Sequence, residues 1–238
     1  MVGIDAKGLR LIRACFGPSG LAALLLVAIS LLAPSCGFKA QAAESVVDAL
    51  GRTVAPGPAT RILTLGSDVT EIVHALGAGE RIVGVDRGSK YPEAVASRPN
   101  VGYRRQLSVE GLVALNPDLI LASEDSGPPE AVEVLKSLAI PTVFVPQDNS
   151  PEGIERKIVL IAAALGREEA GKAVSTEVLA AFDAAARLAS RIPPEKRKKV
   201  VFFHGLVRLS AAGSGTAADA IIRYAGGINP MREVQGYK

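Results

Sequence analysis

From Arg61 onward, short blocks of β-branched residues and leucine alternate with longer stretches in which apolar residues recur every three or four positions. Ile62-Leu63-Thr64-Leu65 reads as a short buried strand, which Gly66-Ser67-Asp68 turns into a helix. In that helix Val69, Ile72, Val73 and Leu76 follow i, i+3, i+4, i+7 spacing and make one apolar face. Asp68 and Glu71 fit a capping box at its start, and Gly77 and Gly79 close it. The cycle repeats with a strand from Arg81 to Val85, a loop through Tyr91, Pro92 and Gly102, and a helix from Ser108 as N-cap through Leu115. A strand over Leu119 to Ala122 follows. Then come a helix opened by Pro128-Pro129-Glu130, a strand from Thr142 to Val145 and a helix from about Pro151 to Leu165. Strands separated by helices imply βαβ units and a parallel sheet.

The rhythm then changes. Glu168 to about Ile192 reads as one long alanine-rich helix with no strand before it, followed by Pro193-Pro194 and the basic run Lys196 to Lys199. A strand is expected over Val200 to Phe203, and Gly215-Thr216 opens a helix from Ala217 to Tyr224 that Gly226-Gly227 ends. The expected architecture is α/β: a parallel-sheet N-terminal lobe (43–166), a spine helix (167–195) and the start of a second α/β lobe (196–238). Roughly 40 residues are too few to bury a core of their own, so the chain is expected to be a fragment.

The first 42 residues read as an export signal. Lys7, Arg10 and Arg13 form a basic start, Leu21 to Leu32 an apolar core, and Ala40-Gln41-Ala42 a cleavage site. A second reading is a lipoprotein cleaved before Cys36 and anchored there. Either way Cys15 is lost, so the mature chain has no cysteine pair for a disulfide, a thiol nucleophile or a metal site. The formal charge of +3 also resides in the leader: from Ala43 onward acidic and basic residues balance, which removes any general electrostatic case for nucleic acid. There is no tryptophan and there are only four tyrosines, so each tyrosine is informative.

Several stretches together resemble the helical-spine (class III) periplasmic binding proteins of ABC importers for haem, siderophores and cobalamin. They are Asp48-Ala49-Leu50-Gly51-Arg52, Thr70-Glu71-Ile72, Leu76-Gly77-Ala78-Gly79, Val83-Gly84-Val85-Asp86 and Leu115-Asn116-Pro117-Asp118-Leu119-Ile120. Two more resemble the haem-binding branch: Val101 to Ser108, containing Gly102-Tyr103-Arg104-Arg105, and Ala212 to Ala220. The resemblance implies a non-enzymatic, monomeric periplasmic carrier that delivers haem to an inner-membrane ABC permease, with Tyr103 as iron ligand. It also implies Glu110 as the permease-docking glutamate and, in some members, a second-lobe histidine, here His204.

Elementary chemistry is consistent with those roles. Ferric iron is a hard cation suited to tyrosinate, a known axial haem ligand. A free phenol has a pKa of about 10 and needs the metal or a neighbouring cation to ionise. If the loop is extended, Arg104 and Arg105 diverge, one supporting the phenolate and the other pairing with a haem propionate. The helix N-terminus at Gly215 and Thr216 is a further propionate site. Gly213 to Thr216 lacks the lysine of a phosphate loop, His74 lies off the apolar face of its helix, and Lys196 to Lys199 reads as a solvated connection. Two histidines are too few for a zinc or manganese carrier. A siderophore or cobalamin remains an alternative cargo, and a tryptophan in place of Tyr103 would suit a corrin better. A periplasmic hydrolase using Ser67 or Ser214 with His204 lacks the G-x-S-x-G elbow.

Overall fold

The computed structural model describes residues 45–205 and 209–238. The expected leader, its cleavage site and Cys36 lie outside the described residues.

The chain enters through a two-stranded antiparallel ribbon, β1 (Val46–Val47) and β2 (Thr53–Val54). The intervening turn is held by Asp48, which accepts hydrogen bonds from the Leu50 and Arg52 amides, both at 3.0 Å, and from the Arg52 guanidinium at 2.6 Å. Arg52 also reaches the Thr142 carbonyl at 2.6 Å, tying the ribbon to the far edge of the main sheet. The Asp48-Ala49-Leu50-Gly51-Arg52 stretch is therefore a structural clasp.

The main sheet contains β3 (Ile62–Leu65), β4 (Ile82–Val85), β5 (Leu119–Ser123) and β6 (Thr142–Val145), all parallel, in the order β4-β3-β5-β6. Every residue of β3, β5 and β6 is buried, as expected where helices cover both faces of a parallel sheet. One face packs α1 (Ser67–Ala75) and α4 (Pro151–Leu165) through Val69, Val73, Ile161 and Leu165. The other packs α2 (Val109–Val113) and α3 (Pro129–Ser137) through Leu112, Ala131, Leu135 and Phe144. The Asn116-Pro117-Asp118 turn leads into β5. There Asp118 accepts from the Thr60 and Arg61 amides, each at 2.8 Å, and so aligns the start of β3 with that of β5.

The long helix α5 (Glu168–Ser190) packs beside α4. Gly171 permits this, since a Cβ there would lie 2.5 Å from that of Ala162. Farther along, Phe182 meets Tyr224 edge-on at 5.2 Å, joining α5 to α6 (Ala217–Tyr224). Thr216 caps α6, its hydroxyl accepting from the Asp219 amide at 3.1 Å.

Two expectations need correction. The second-lobe strand is not Val200 to Phe203: the ladder is the short β7 (Phe203–His204) paired antiparallel with β8 (Ser210–Ala211), and Lys199 only bridges to Ile228. His204 therefore does not sit at the end of a parallel strand. Second, Asp68 and Glu71 form no capping box, because Gly66 occupies the N-cap and Asp68 pairs with Lys157 and with Gln147 at 3.2 Å. A buried ammonium from α4 claims the carboxylate that sequence spacing assigned to the helix end.

Candidate functional site

In a sheet of this order the chain leaves β3 toward one edge and β5 toward the other, so the crevice forms above the carboxyl ends of those two strands. The residues there are Gly66, Asp86, Ser123, Asp125 and Gln147. Gly66 has φ +137° and its Cα faces the Ser123 side chain, so a larger residue would close the gap between the two strand ends. Asp86 is fully buried and locally satisfied, accepting from the Gly66 amide (3.1 Å), the Gly88 amide (2.9 Å) and the Ser89 hydroxyl (2.6 Å).

The loop between β4 and α2 carries Tyr103 across this edge and is held at two points. The Arg87 amide donates to the Gly102 carbonyl at 2.7 Å, and the Gly127 amide donates to the Arg104 carbonyl at 2.9 Å. Gly102 has φ +91°, in the region that favours glycine, and lets the chain reverse just before the tyrosine. The Gln106 amide then donates to the Tyr103 carbonyl at 2.7 Å, closing a tight turn with Arg104 and Arg105 at its centre.

That turn corrects the extended-loop expectation. Arg104 and Arg105 do not diverge: both guanidiniums reach the same carboxylate, Asp125. Arg104 binds it with Nε and Nη2 at 3.0 and 2.8 Å, Arg105 with Nη2 at 2.5 Å, and Ser123 adds its hydroxyl at 2.6 Å. Burial pushes the Asp125 carboxyl up, but the hydrogen bonds from Arg104, Ser123 and Arg105 outweigh it and hold the group well below the usual carboxylate range. Arg105 is kept charged first by its hydrogen bond to Asp125, with a further contribution from the Tyr103 side chain beside it. On the other side, the Arg87 guanidinium lies 5.1 Å from the centre of the Tyr103 ring, a cation–π distance. The half-buried phenol thus stands between guanidiniums.

The other expected residues are elsewhere. Gly215 and Thr216 lie at the carboxyl end of β6, where with Gln147, Asp148, Ser150 and Arg223 they line a cavity of about 240 Å³. The Thr216 hydroxyl is used within the cap, donating to the Gly213 carbonyl at 2.8 Å. His204 is exposed and lies against Tyr237, ring centres 5.6 Å apart; among the described residues no hydrogen bond links it to the Tyr103 loop. Glu110 is exposed in the first turn of α2. His74 is exposed on α1, and the Ser214 hydroxyl bonds to the Val234 carbonyl rather than to a histidine. Sequence reasoning missed Asp125 and Arg87. Both follow the carboxyl ends of parallel strands, the signal that could have found them.

Residues 62–237 match a family described as periplasmic binding protein. The apo periplasmic heme-binding protein RhuT from Roseiflexus sp. RS-1 superposes with a TM-score of 0.71 at 38% identity, over 75% of this chain and 69% of that one. The periplasmic heme-binding protein BhuT, in complex with two hemes, gives 0.69 at 36% identity over the same shares. A vitamin B12-binding protein of Vibrio campbellii is 28% identical over 178 residues, covering 74% of this chain but only 62% of its own length.

Proposed function

Because the chain belongs to the periplasmic binding protein family, we propose that it is an exported, non-enzymatic carrier that captures ferric haem and hands it to an inner-membrane ABC permease. The observation that carries this reading is Tyr103, suspended above the carboxyl edge of the sheet between Arg87 and the Asp125-held pair Arg104 and Arg105. A phenolate is a suitable ligand for ferric iron. On binding, an iron–oxygen bond forms as the Tyr103 hydroxyl gives its proton to water, and Arg105 stabilises the anionic oxygen. The heme-binding neighbours, at 38% and 36% identity, support the choice of cargo.

The remaining roles extend the same reading. The division into a lobe (43–166), a spine (167–195) and the beginning of a second lobe (196–238) is its frame. His204 offers an imidazole as a second iron donor, and the backbone at Gly215 and Thr216 offers amides to a ligand carboxylate. Glu110 is the docking contact for the permease. Residues 1–42 direct export to the periplasm, where the carrier acts as a monomer. Cobalamin is the second reading, favoured by the names of the curated relatives; a tyrosine flanked by guanidiniums suits a ferric, carboxylate-bearing cargo better.

Titration of the purified chain with hemin tests the proposal. The expected result is saturable binding with the charge-transfer band of tyrosinate-ligated ferric haem. Saturable cobalamin binding with no spectral response to hemin would overturn it.

A further inference from the structure

Of the three guanidiniums around Tyr103, two are already committed. Arg104 grips Asp125 with both arms of its fork, and Arg105 takes the same carboxylate at 2.5 Å. Arg87 differs: it is exposed, makes no ion pair among the described residues, and rests on the face of the Tyr103 ring at 5.1 Å. The neighbouring Asp86 carboxylate gives it no partner, being turned inward to Gly66, Gly88 and Ser89. Its backbone is fixed to the loop it serves by the 2.7 Å bond from its amide to the Gly102 carbonyl.

We infer that Arg87 is the residue of this edge that pairs with an acidic group of the cargo, a macrocycle carboxylate when the cargo is haem. This rests on the proposed haem-carrier function and reassigns the carboxylate-pairing role expected of Arg104 or Arg105. Iron bound at the Tyr103 hydroxyl would bring the cargo to this side of the loop, where Arg87 lies 5.1 Å from the ring centre with no side-chain hydrogen bond or ion pair among the described residues. A planar fork that leaves the weak ring contact for a carboxylate exchanges a cation–π interaction for paired charge-assisted hydrogen bonds. Such a residue selects for carboxylate-bearing cargo without contributing to the iron bond.

The test compares hemin with hemin dimethyl ester, which has the same iron and ring but no free carboxylates, under one detergent condition. Wild type should bind hemin more tightly than the ester. Arg87→Gln should shrink that preference about fivefold, the scale of one exposed charge pair, while the tyrosinate band of bound haem persists. Arg87→Lys should keep part of the preference. Arg104→Gln should weaken both ligands alike and leave the ratio unchanged. An unchanged ratio in Arg87→Gln, or its loss in Arg104→Gln instead, overturns the inference and leaves the haem reading intact. Wild type binding neither ligand overturns both.

Discussion

Replacing Asp125 by asparagine keeps the side chain's shape and removes its charge together with one acceptor oxygen. In the wild type four donor atoms converge on this carboxylate: two from Arg104, one from Arg105 and the Ser123 hydroxyl, at 2.5 to 3.0 Å. The asparagine amide cannot accept a bidentate fork, so Arg104 loses one bond and both arginines lose their counter-charge. A charge-assisted hydrogen bond is worth about 1.5–3 kcal/mol when enclosed. The Asp125 side chain is 27% exposed and the Arg105 side chain 54%, so solvent screening reduces the total to about 1–2 kcal/mol. For a unit of this size that lowers Tm by roughly 2–8 °C. Circular-dichroism melts at neutral pH and in acid give the assay. The folded-state pKa is depressed, so this contribution is fully present above the ordinary value of 3.8 and is lost as the pH falls below it toward the folded value. The difference between wild type and variant should therefore shrink in acid. A variant that melts with the wild type at neutral pH, or whose deficit is independent of pH down to acid, would refute the clamp.

Phe144→Ala empties a fully buried site beneath Arg52, whose guanidinium lies 5.1 Å from the ring, and should cost about 3–5 kcal/mol in urea unfolding; a loss below about 1 kcal/mol would contradict the packing described. Gly102→Ala forces a side chain into φ +91° and should cost about 1–2 kcal/mol with weakened hemin binding, although nothing lies within 4 Å of the new carbon. Gly111→Ala, in helical backbone with only the Ser108 hydroxyl at 4.0 Å, is the matched control and should be neutral or stabilising. Equal losses at the two glycines would show that the loop conformation is not what matters.

What could be read directly from the chain was what is local. β3 and β6 and the helices α4 and α6 fall where hydrophobic period, proline at the first turn and glycine at the end place them, because each signal lies within the element it defines. Tyr103 and its arginines were likewise visible as a motif. The partners were not. Asp125 is 21 residues from Arg104 and Lys157 is 89 from Asp68, and only the sheet's crossovers bring them together. Local rules were overridden there: a long-range lysine took the carboxylate from the expected capping box, and a turn closed by the Gln106 amide aimed Arg104 and Arg105 at one carboxylate where an extended strand would have separated them. β7 was misplaced because a strand two residues long carries almost no periodicity.

In the proposed carrier the Tyr103 oxygen binds the iron. The most direct measurement of that bond is the absorption spectrum of hemin bound to Tyr103→Phe beside wild type, since the variant removes one oxygen and leaves the ring, Arg87 and the Asp125 clamp in place. The tyrosinate charge-transfer band, present in wild type, should be absent in the variant, and hemin affinity should fall. The same band in Tyr103→Phe would contradict that bond and assign the iron to another ligand.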